Sequence, residues 1–460
     1  MRSPIPLAVE VAAARAAGGL SRLARTGGGT TLPGKLLWKL DPGAIDRLAA
    51  RLPLGSALVS ATNGKTTMAA LAASILESRV RLAHNRSGAN LVSGVASTLL
   101  DAPRGTELGL FEVDEGALPE VALRVRPRAV CLGNLFRDQL DRYGELELVA
   151  ERWREAVRRL PAETRLVVNG DDPQVGDLAR DRPGALVFGL DDPRHAQPEL
   201  QHAADSKYCV ACGTAYVYSA AYVGHLGDYQ CPRCGHARPA LDVRAREIEL
   251  HGLERTSFSL VTPEGSRQVE LGLPGLYNVY NALAASALAV ALGASLDEVV
   301  RGLERASAAF GRFERIALDG RTLLMLLIKN PAGANEVVRT LVAGAPPRLA
   351  VVALNDATAD GKDVSWIWDV DFEPLLAGLE RVVVSGDRAA ELALRFRYAG
   401  FDLGRIELVP DLERGLDRGL ELTPGGGELV VLPTYTAMLA LRKIVAGRGY
   451  VRPYWEERAA

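Results

Sequence analysis

The run Val59-Ser60-Ala61-Thr62-Asn63-Gly64-Lys65-Thr66-Thr67 constrains this chain more than any other stretch. It follows a short apolar segment, Ala57-Leu58-Val59, and opens an alanine- and leucine-rich one, Met68 to Leu76. Strand, small-residue loop and helix in that order make a phosphate cradle. Backbone N–H groups at the helix start point at the phosphates, and the helix dipole favours negative charge there. In such a cradle Lys65 reaches the terminal phosphates of ATP and the Thr66 hydroxyl sits on Mg2+, with Thr62, Asn63, Gly64 and Thr67 completing the loop. The usual pattern has a glycine five residues before Gly64, where this chain has Val59. As a loop lysine, Lys65 is expected to face solvent, so that its removal leaves the fold intact.

The periodicity around the cradle predicts an α/β fold. Short apolar runs at Leu108–Phe111, Ala129–Leu132, Leu166–Val168 and Ala185–Phe188 alternate with helical segments such as Leu146 to Leu160, the pattern of a parallel sheet covered on both faces. Residues 241–272 alternate as antiparallel strands, and Asn278 to Leu292 reads as a helix. A second α/β unit follows, with strands at Thr322–Leu327, Leu349–Leu354, Arg381–Ser385 and Leu429–Leu432. The expected division is a helical N-terminal segment at 1–54, a central ATP-binding domain at 55–315 and a smaller C-terminal α/β domain at 316–460. A length of 460 residues accommodates two or three such cores.

Residues 205–240 break the alternation. Cys209-x-x-Cys212 and Cys231-x-x-Cys234 are separated by eighteen residues, the length of a β-hairpin, and Gly213 and Gly235 follow the two pairs. Each pair can bite one tetrahedral Zn2+, and four thiolates close its shell, so the expected zinc is structural. His225 and His236 are read as bystanders. Cys131 lies in an apolar run and is read as core.

Charge and hydropathy exclude other classes. A formal net charge of −2 lacks the basic excess of a nucleic-acid binder. No run is long enough to span a membrane, and Glu10, Arg15 and Arg22 interrupt the N-terminal stretch where a signal peptide would be apolar. The expected location is cytoplasmic. The segment Ile5 to Arg25 either approaches a bilayer or packs as a helix on the central domain.

Several strings put polar side chains at the carboxyl ends of strands, on the cradle's rim. Glu112, in Phe111-Glu112-Val113-Asp114-Glu115, alternates with apolar neighbours and suits a Mg2+ ligand, whereas Glu115 suits a solvated loop. Asn134…Asp138-Gln139-Leu-Asp141 and Asn169-x-Asp171-Asp172-Pro173 follow two other strands. In this order, together with Gly275-Leu-Tyr277-Asn278-Val-Tyr-Asn281, they resemble the Mur ligases, ATP-dependent enzymes of peptidoglycan synthesis that activate a carboxylate as an acyl phosphate. The family usually has His-Asn where this chain has Tyr277-Asn278, and His where it has Gln139. Those departures and the thiolate insertion are similar to the MurT subgroup. So is the C-terminal half, through Lys329-Asn330-Pro331, Asn355-Asp-Ala-Thr-Ala-Asp360-Gly361-Lys-Asp363-Val-Ser365-Trp366-Ile-Trp368-Asp369 and Pro433-Thr434-Tyr435.

The resemblance implies a ligase subunit that amidates the D-glutamate α-carboxylate of lipid II, acting as a peripheral protein at the inner face of the membrane. It implies that Asn278 touches the adenine side. It implies a GatD-type glutaminase partner that supplies ammonia and whose catalytic triad is completed by an aspartate of this chain: Asp369 first, then Asp360 or Asp363. The alternative within the superfamily is a ligase adding an amino acid to a nucleotide-linked peptide or to folate. Such ligases often use a carbamylated lysine in the central domain. Between Asp172 and Gly275 the only lysine is Lys207, beside the thiolates.

Overall fold

The computed structural model describes residues 7–23, 32–85, 89–138, 145–201, 204–306, 313–344 and 346–451. Nine strands form the larger sheet: β1 (Ser56–Ser60), β2 (Leu82–His84), β3 (Leu108–Glu112), β4 (Ala129–Leu132), β5 (Arg165–Asn169), β6 (Leu186–Leu190), and, after a separate hairpin of β7 (Val217–Val223) and β8 (Leu226–Gln230), β9 (Val243–His251), β10 (Arg255–Thr262) and β11 (Gly265–Leu271). Their spatial order is β11-β10-β9-β6-β5-β4-β1-β3-β2. Every strand from β2 through β6 to β9 pairs in parallel, and β9, β10 and β11 close that end antiparallel.

The residues explain this division. β1, β3 and β4 are buried along their whole length, as continuous apolar runs between two helix layers must be. β10 buries Thr256, Phe258, Leu260 and Thr262 and leaves the residues between them half-exposed, the period of a strand with one covered face. Phe258 and Leu260 pack with the helix Leu276–Ala291 on one side of the sheet. Trp153 of the helix Leu146–Arg159 packs with Val95 and Val121 on the other.

The chain leaves β1 for the far edge and returns through β3 on one side and β4 on the other, so the sheet order switches at β1. Ligands of parallel sheets bind in the crevice at the strand carboxyl ends at such a point, and the loop 60–64 lies there.

A second sheet has the order β12-β13-β17-β14-β15-β16, with β12 (Glu314–Leu318), β13 (Arg321–Met325), β14 (Leu349–Ala353), β15 (Arg381–Ser385), β16 (Ile406–Leu408) and β17 (Glu428–Pro433). Only β12 is antiparallel to its neighbour. The short strands β2 and β16, and the helices Leu32–Leu40 and Ala44–Ala49, carry no sequence signal strong enough to foretell them. The N-terminal helix Leu7–Leu23 packs on the central sheet unit: Ala14 is buried in that core, and Arg15 donates to the Leu100 carbonyl at 3.1 Å. No helix among the described residues is long and apolar enough to cross a membrane.

Candidate functional site

The phosphate loop is held from three sides. Gly64 has φ of +85°, and a Cβ there would lie 2.0 Å from the Asn281 side-chain oxygen, so both conformation and space demand glycine. The Asn134 side chain accepts from Asn63 N at 2.9 Å and donates to Asn63 O at 3.1 Å. The Thr62 hydroxyl accepts from Phe136 N at 3.1 Å. From the second sheet unit, Asn330 donates to the Asn63 side-chain oxygen at 2.9 Å while capping the helix Pro331–Ala343. Thr66 and Thr67 stand in the first turn of the helix Lys65–Leu76.

Lys65 is not solvent-facing. It is 6% exposed, and its ammonium donates to the Glu115 carboxylate at 2.8 Å and to the carbonyls of Ala61 and Thr62. Burial alone lowers the Lys65 pKa, but attraction to Glu115, Asp114 and Glu112 outweighs it and leaves the value raised. Burial raises that of Glu115, and Lys65 and Lys329 together bring it below the ordinary carboxylate value. Glu115 is therefore not the solvated loop residue expected. The helix Leu146–Arg159 covers it, and Trp153 donates its indole N–H to the Glu115 carbonyl at 3.0 Å.

Glu112 ends β3 and is 3% exposed. Asn85 brackets its backbone on both sides, and the Asn90 amide approaches its carboxylate at 3.4 Å. Thr66 and Glu112 each offer oxygen, the donor type a hard cation such as Mg2+ takes. Among the described residues only the cysteines bring three or more His, Cys, Asp or Glu ligand atoms together. An ion here would therefore rely on nucleotide phosphates for much of its shell, as Mg2+ commonly does.

Asn278 donates to the Pro274 carbonyl at 2.8 Å and accepts from Asn281 at 3.0 Å. It lines a cleft that also touches Asn63, Gly64 and Thr67. Asp171 and Asp172, on the same rim, are fully buried and serve the architecture. Asp172 caps the turn at Pro173 and accepts from Leu135 N at 2.8 Å. Asp171 accepts from the Tyr280 hydroxyl at 2.6 Å and pairs with Arg238 at 3.1 Å. Burial nevertheless pushes its pKa up to about 6. Gln139 and Asp141 lie outside the described residues.

A second cleft is lined by Arg137, Asp138, Lys329, Asp360, Asp363 and Asp369. Lys329 belongs to both clefts; its ammonium contacts Asp138 at 2.6 Å and the Thr62 carbonyl at 3.3 Å. Asp360 is buried and spends its carboxylate on Thr436, accepting from the backbone N–H at 2.9 Å and from the hydroxyl. Asp363 accepts from Ser365 N at 2.8 Å. The Asp369 side chain is 46% exposed, with Arg137 at 3.5 Å. Of the three candidates, Asp363 and Asp369 face outward. Trp368 stands beside Asp369, exposed, edge-on to Tyr398.

The four cysteine sulfurs lie within 4.8 Å of one another, with Cys209–Cys234 at 3.6 Å and Cys212–Cys231 at 3.5 Å. A tetrahedron of Zn–S bonds of about 2.3 Å needs sulfurs about 3.8 Å apart, so the set fits zinc. Gly213 and Gly235 both have positive φ, and each returns its N–H to the first cysteine of its pair. Hydrogen bonding with the side chain and backbone of Thr214 draws the Cys212 thiol down to about 6. His236 bonds Tyr216 and Asp177, and His225 packs on Phe136; neither joins the cluster. Cys131 is fully buried, its thiol pKa raised by burial.

Arg238 carries no signal of its own in the sequence, and the motif that contains Tyr280 and Asn281 does not say what they touch. Their roles depend on which helix lands on the loop.

Known proteins resemble this chain in sequence and in fold. The description "Mur ligase middle domain" matches residues 59–226, and "MurT ligase C-terminal" matches residues 327–438. The chain is 34% identical over 435 residues to lipid II isoglutaminyl synthase (glutamine-hydrolyzing) subunit MurT of Streptococcus pneumoniae, covering 94% of this chain and 95% of that protein. The protein of the same name from Staphylococcus aureus is 30% identical over 414 residues, 89% of this chain and 91% of the relative. Among solved structures, a pseudomurein peptide ligase type C from Methanothermus fervidus shares the fold, with a TM-score of 0.70 at 20% identity over 88% of this chain and 80% of the other. The chain belongs to the MurT family of Mur ligases.

Proposed function

We propose that this chain is the ATP-consuming ligase subunit of a lipid II isoglutaminyl synthase, working with a GatD-type glutaminase. A glutamate carboxylate oxygen attacks the γ-phosphorus of ATP and ADP leaves. Ammonia then attacks the acyl carbon, phosphate leaves, and the α-carboxylate of the stem-peptide D-glutamate becomes an amide. Two anions must meet in the first step. The Lys65 ammonium and the N–H groups opening the helix Lys65–Leu76 offset that repulsion. Thr66 and Glu112 would hold Mg2+, which supplies further charge neutralisation at the phosphates. The four cysteines would hold zinc away from the chemistry.

One observation carries the reading: Lys329 lines both the cleft touching the phosphate loop and the cleft bearing Asp369. Ammonia released beside Asp369 would enter next to the loop rather than from bulk water. In this reading the chain divides into a helical segment at 1–54, a central ATP-binding domain at 55–315 with its zinc insertion at 205–240, and a C-terminal domain at 316–460. It works in the cytoplasm, at the inner membrane face when lipid II is its substrate.

The test is amidation of lipid II by the chain co-purified with its glutaminase, driven by glutamine or by ammonium. Amide formation with both sources, ADP matching product one to one, is expected. Turnover that instead requires an amino acid as nucleophile would reassign the chain to the amino-acid-adding ligases.

A further inference from the structure

In this structure Lys65 has already spent its donors. An ammonium carries three N–H groups, and Lys65 gives them to the Ala61 carbonyl, the Thr62 carbonyl and the Glu115 carboxylate. It lines neither of the two clefts. Glu115 also offsets its charge, and Asp114 and Glu112 add to the negative field around it. A loop that must neutralise a phosphoryl group in transit therefore needs a cation from elsewhere.

Lys329, from the second sheet unit, has what Lys65 lacks. Its ammonium donates to the Asp138 carboxylate at 2.6 Å and to the same Thr62 carbonyl at 3.3 Å, so the two lysines share one carbonyl oxygen of the phosphate loop. Two of its N–H groups are spent, and the third has no acceptor among the described residues. The side chain is 27% exposed and lines both clefts. Its backbone is fixed on either side. Ile328 donates its N–H to the Pro433 carbonyl at 2.9 Å, at the end of β17. Asn330 caps the helix Pro331–Ala343 while holding the Asn63 side chain. A donor held in place before charge develops costs no reorganisation when it does.

We propose that Lys329 is a catalytic residue of phosphoryl transfer, donating its open N–H to the phosphoryl group as it passes from ATP to the substrate carboxylate. The proposal rests on the ligase reading given above. In that step a carboxylate oxygen bonds to the γ-phosphorus, the bond from that phosphorus to the ADP oxygen breaks, and no proton moves. Lys329 stays an ammonium throughout. Charge spreads over the three equatorial oxygens of the group in transit, and the incoming carboxylate adds its own. The second sheet unit thereby supplies the charge that the phosphate loop has spent on Glu115, and the loop by itself is an incomplete site.

Positional isotope exchange separates this step from amide formation. The zinc-loaded chain, in complex with its glutaminase, is given lipid II and ATP carrying heavy oxygen in the β–γ bridge, with glutamine and ammonium left out. Movement of the label into the outer oxygens of the β-phosphate reports reversible transfer to the carboxylate. Lys329→Met should slow that exchange about 100- to 1,000-fold, the range for one lost transition-state donor, and slow ammonium-driven amidation in proportion. Its dissociation constant for ATP, from equilibrium titration, should stay near that of the wild type, because the contact acts on the group in transit rather than on bound ATP. Lys329→Arg, which keeps a cation in place, should exchange faster than Lys329→Met. A residue that only joins the two sheet units would not show that dependence on charge. Exchange in Lys329→Met near the wild-type rate, ATP binding weakened as much as exchange, or Lys329→Arg no faster than Lys329→Met would overturn the role of Lys329 alone. A wild type with neither lipid II-dependent exchange nor amidation would overturn the ligase reading, and the proposal with it.

Discussion

Lys65→Ala removes one member of a buried ion pair and strands the other. Glu115, 6% exposed, would keep only the more distant Lys329 as compensation. Breaking a buried pair from one side costs about 3–5 kcal/mol, whereas removing both charges costs much less. The variant should therefore lose ATP turnover and also unfold about 3–5 kcal/mol more easily at pH 7.5, with Lys329 drawing the value to the low end. Lys65→Ala combined with Glu115→Gln should recover most of the stability and none of the turnover.

The pH dependence has a defined sign. The wild-type Glu115 pKa is depressed below 4.5, so its contribution is present above that value and is lost as pH falls through the folded pKa. The Lys65 pKa is raised above 10.5, so its contribution is present below that value and is lost as pH rises through the folded pKa. Without Lys65, burial dominates and the Glu115 pKa rises. The deficit should then be smaller at pH 5 than at pH 7.5. Urea denaturation followed by intrinsic fluorescence measures all three proteins. A Lys65→Ala variant as stable as wild type at pH 7.5, or a double variant no more stable than the single one, would refute the buried-pair argument.

Cys231→Ser should release about one zinc per chain and lower stability by several kcal/mol; metal analysis by inductively coupled plasma, alongside thermal unfolding, checks both. Asp369→Asn should abolish glutamine-driven amidation and spare the ammonium-driven reaction, since its half-exposed pair with Arg137 contributes little to the fold; loss of both activities would place Asp369 in the ligase site, and survival of both would pass the role to Asp363 or Asp360. Asp171, held at about 6, binds its proton more tightly folded than unfolded, so its contribution to stability should fall as pH rises from about 4 to 6; Asp171→Asn should remove that slope, as denaturant midpoints across the interval would show.

What the sequence determined by itself is local in origin. The phosphate loop is nine consecutive residues whose conformation follows from small side chains, a positive-φ glycine and a helix start. The thiolate cluster follows from two bites closed by glycines and joined by a hairpin of the right length. The main strands follow from apolar runs flanked by turn residues. The tertiary structure alone decided which distant groups meet. Lys65 finds Glu115 fifty positions along because β3 lies beside β1 and the helix Leu146–Arg159 covers the loop after it. Gly64 is obligatory because Asn281 abuts it. Asp171 is a buried partner of Tyr280 and Arg238 rather than a rim ligand. Residue type and spacing say that a carboxylate can bind a cation or an amine. Only packing removes the water around it and so decides which partner it must have.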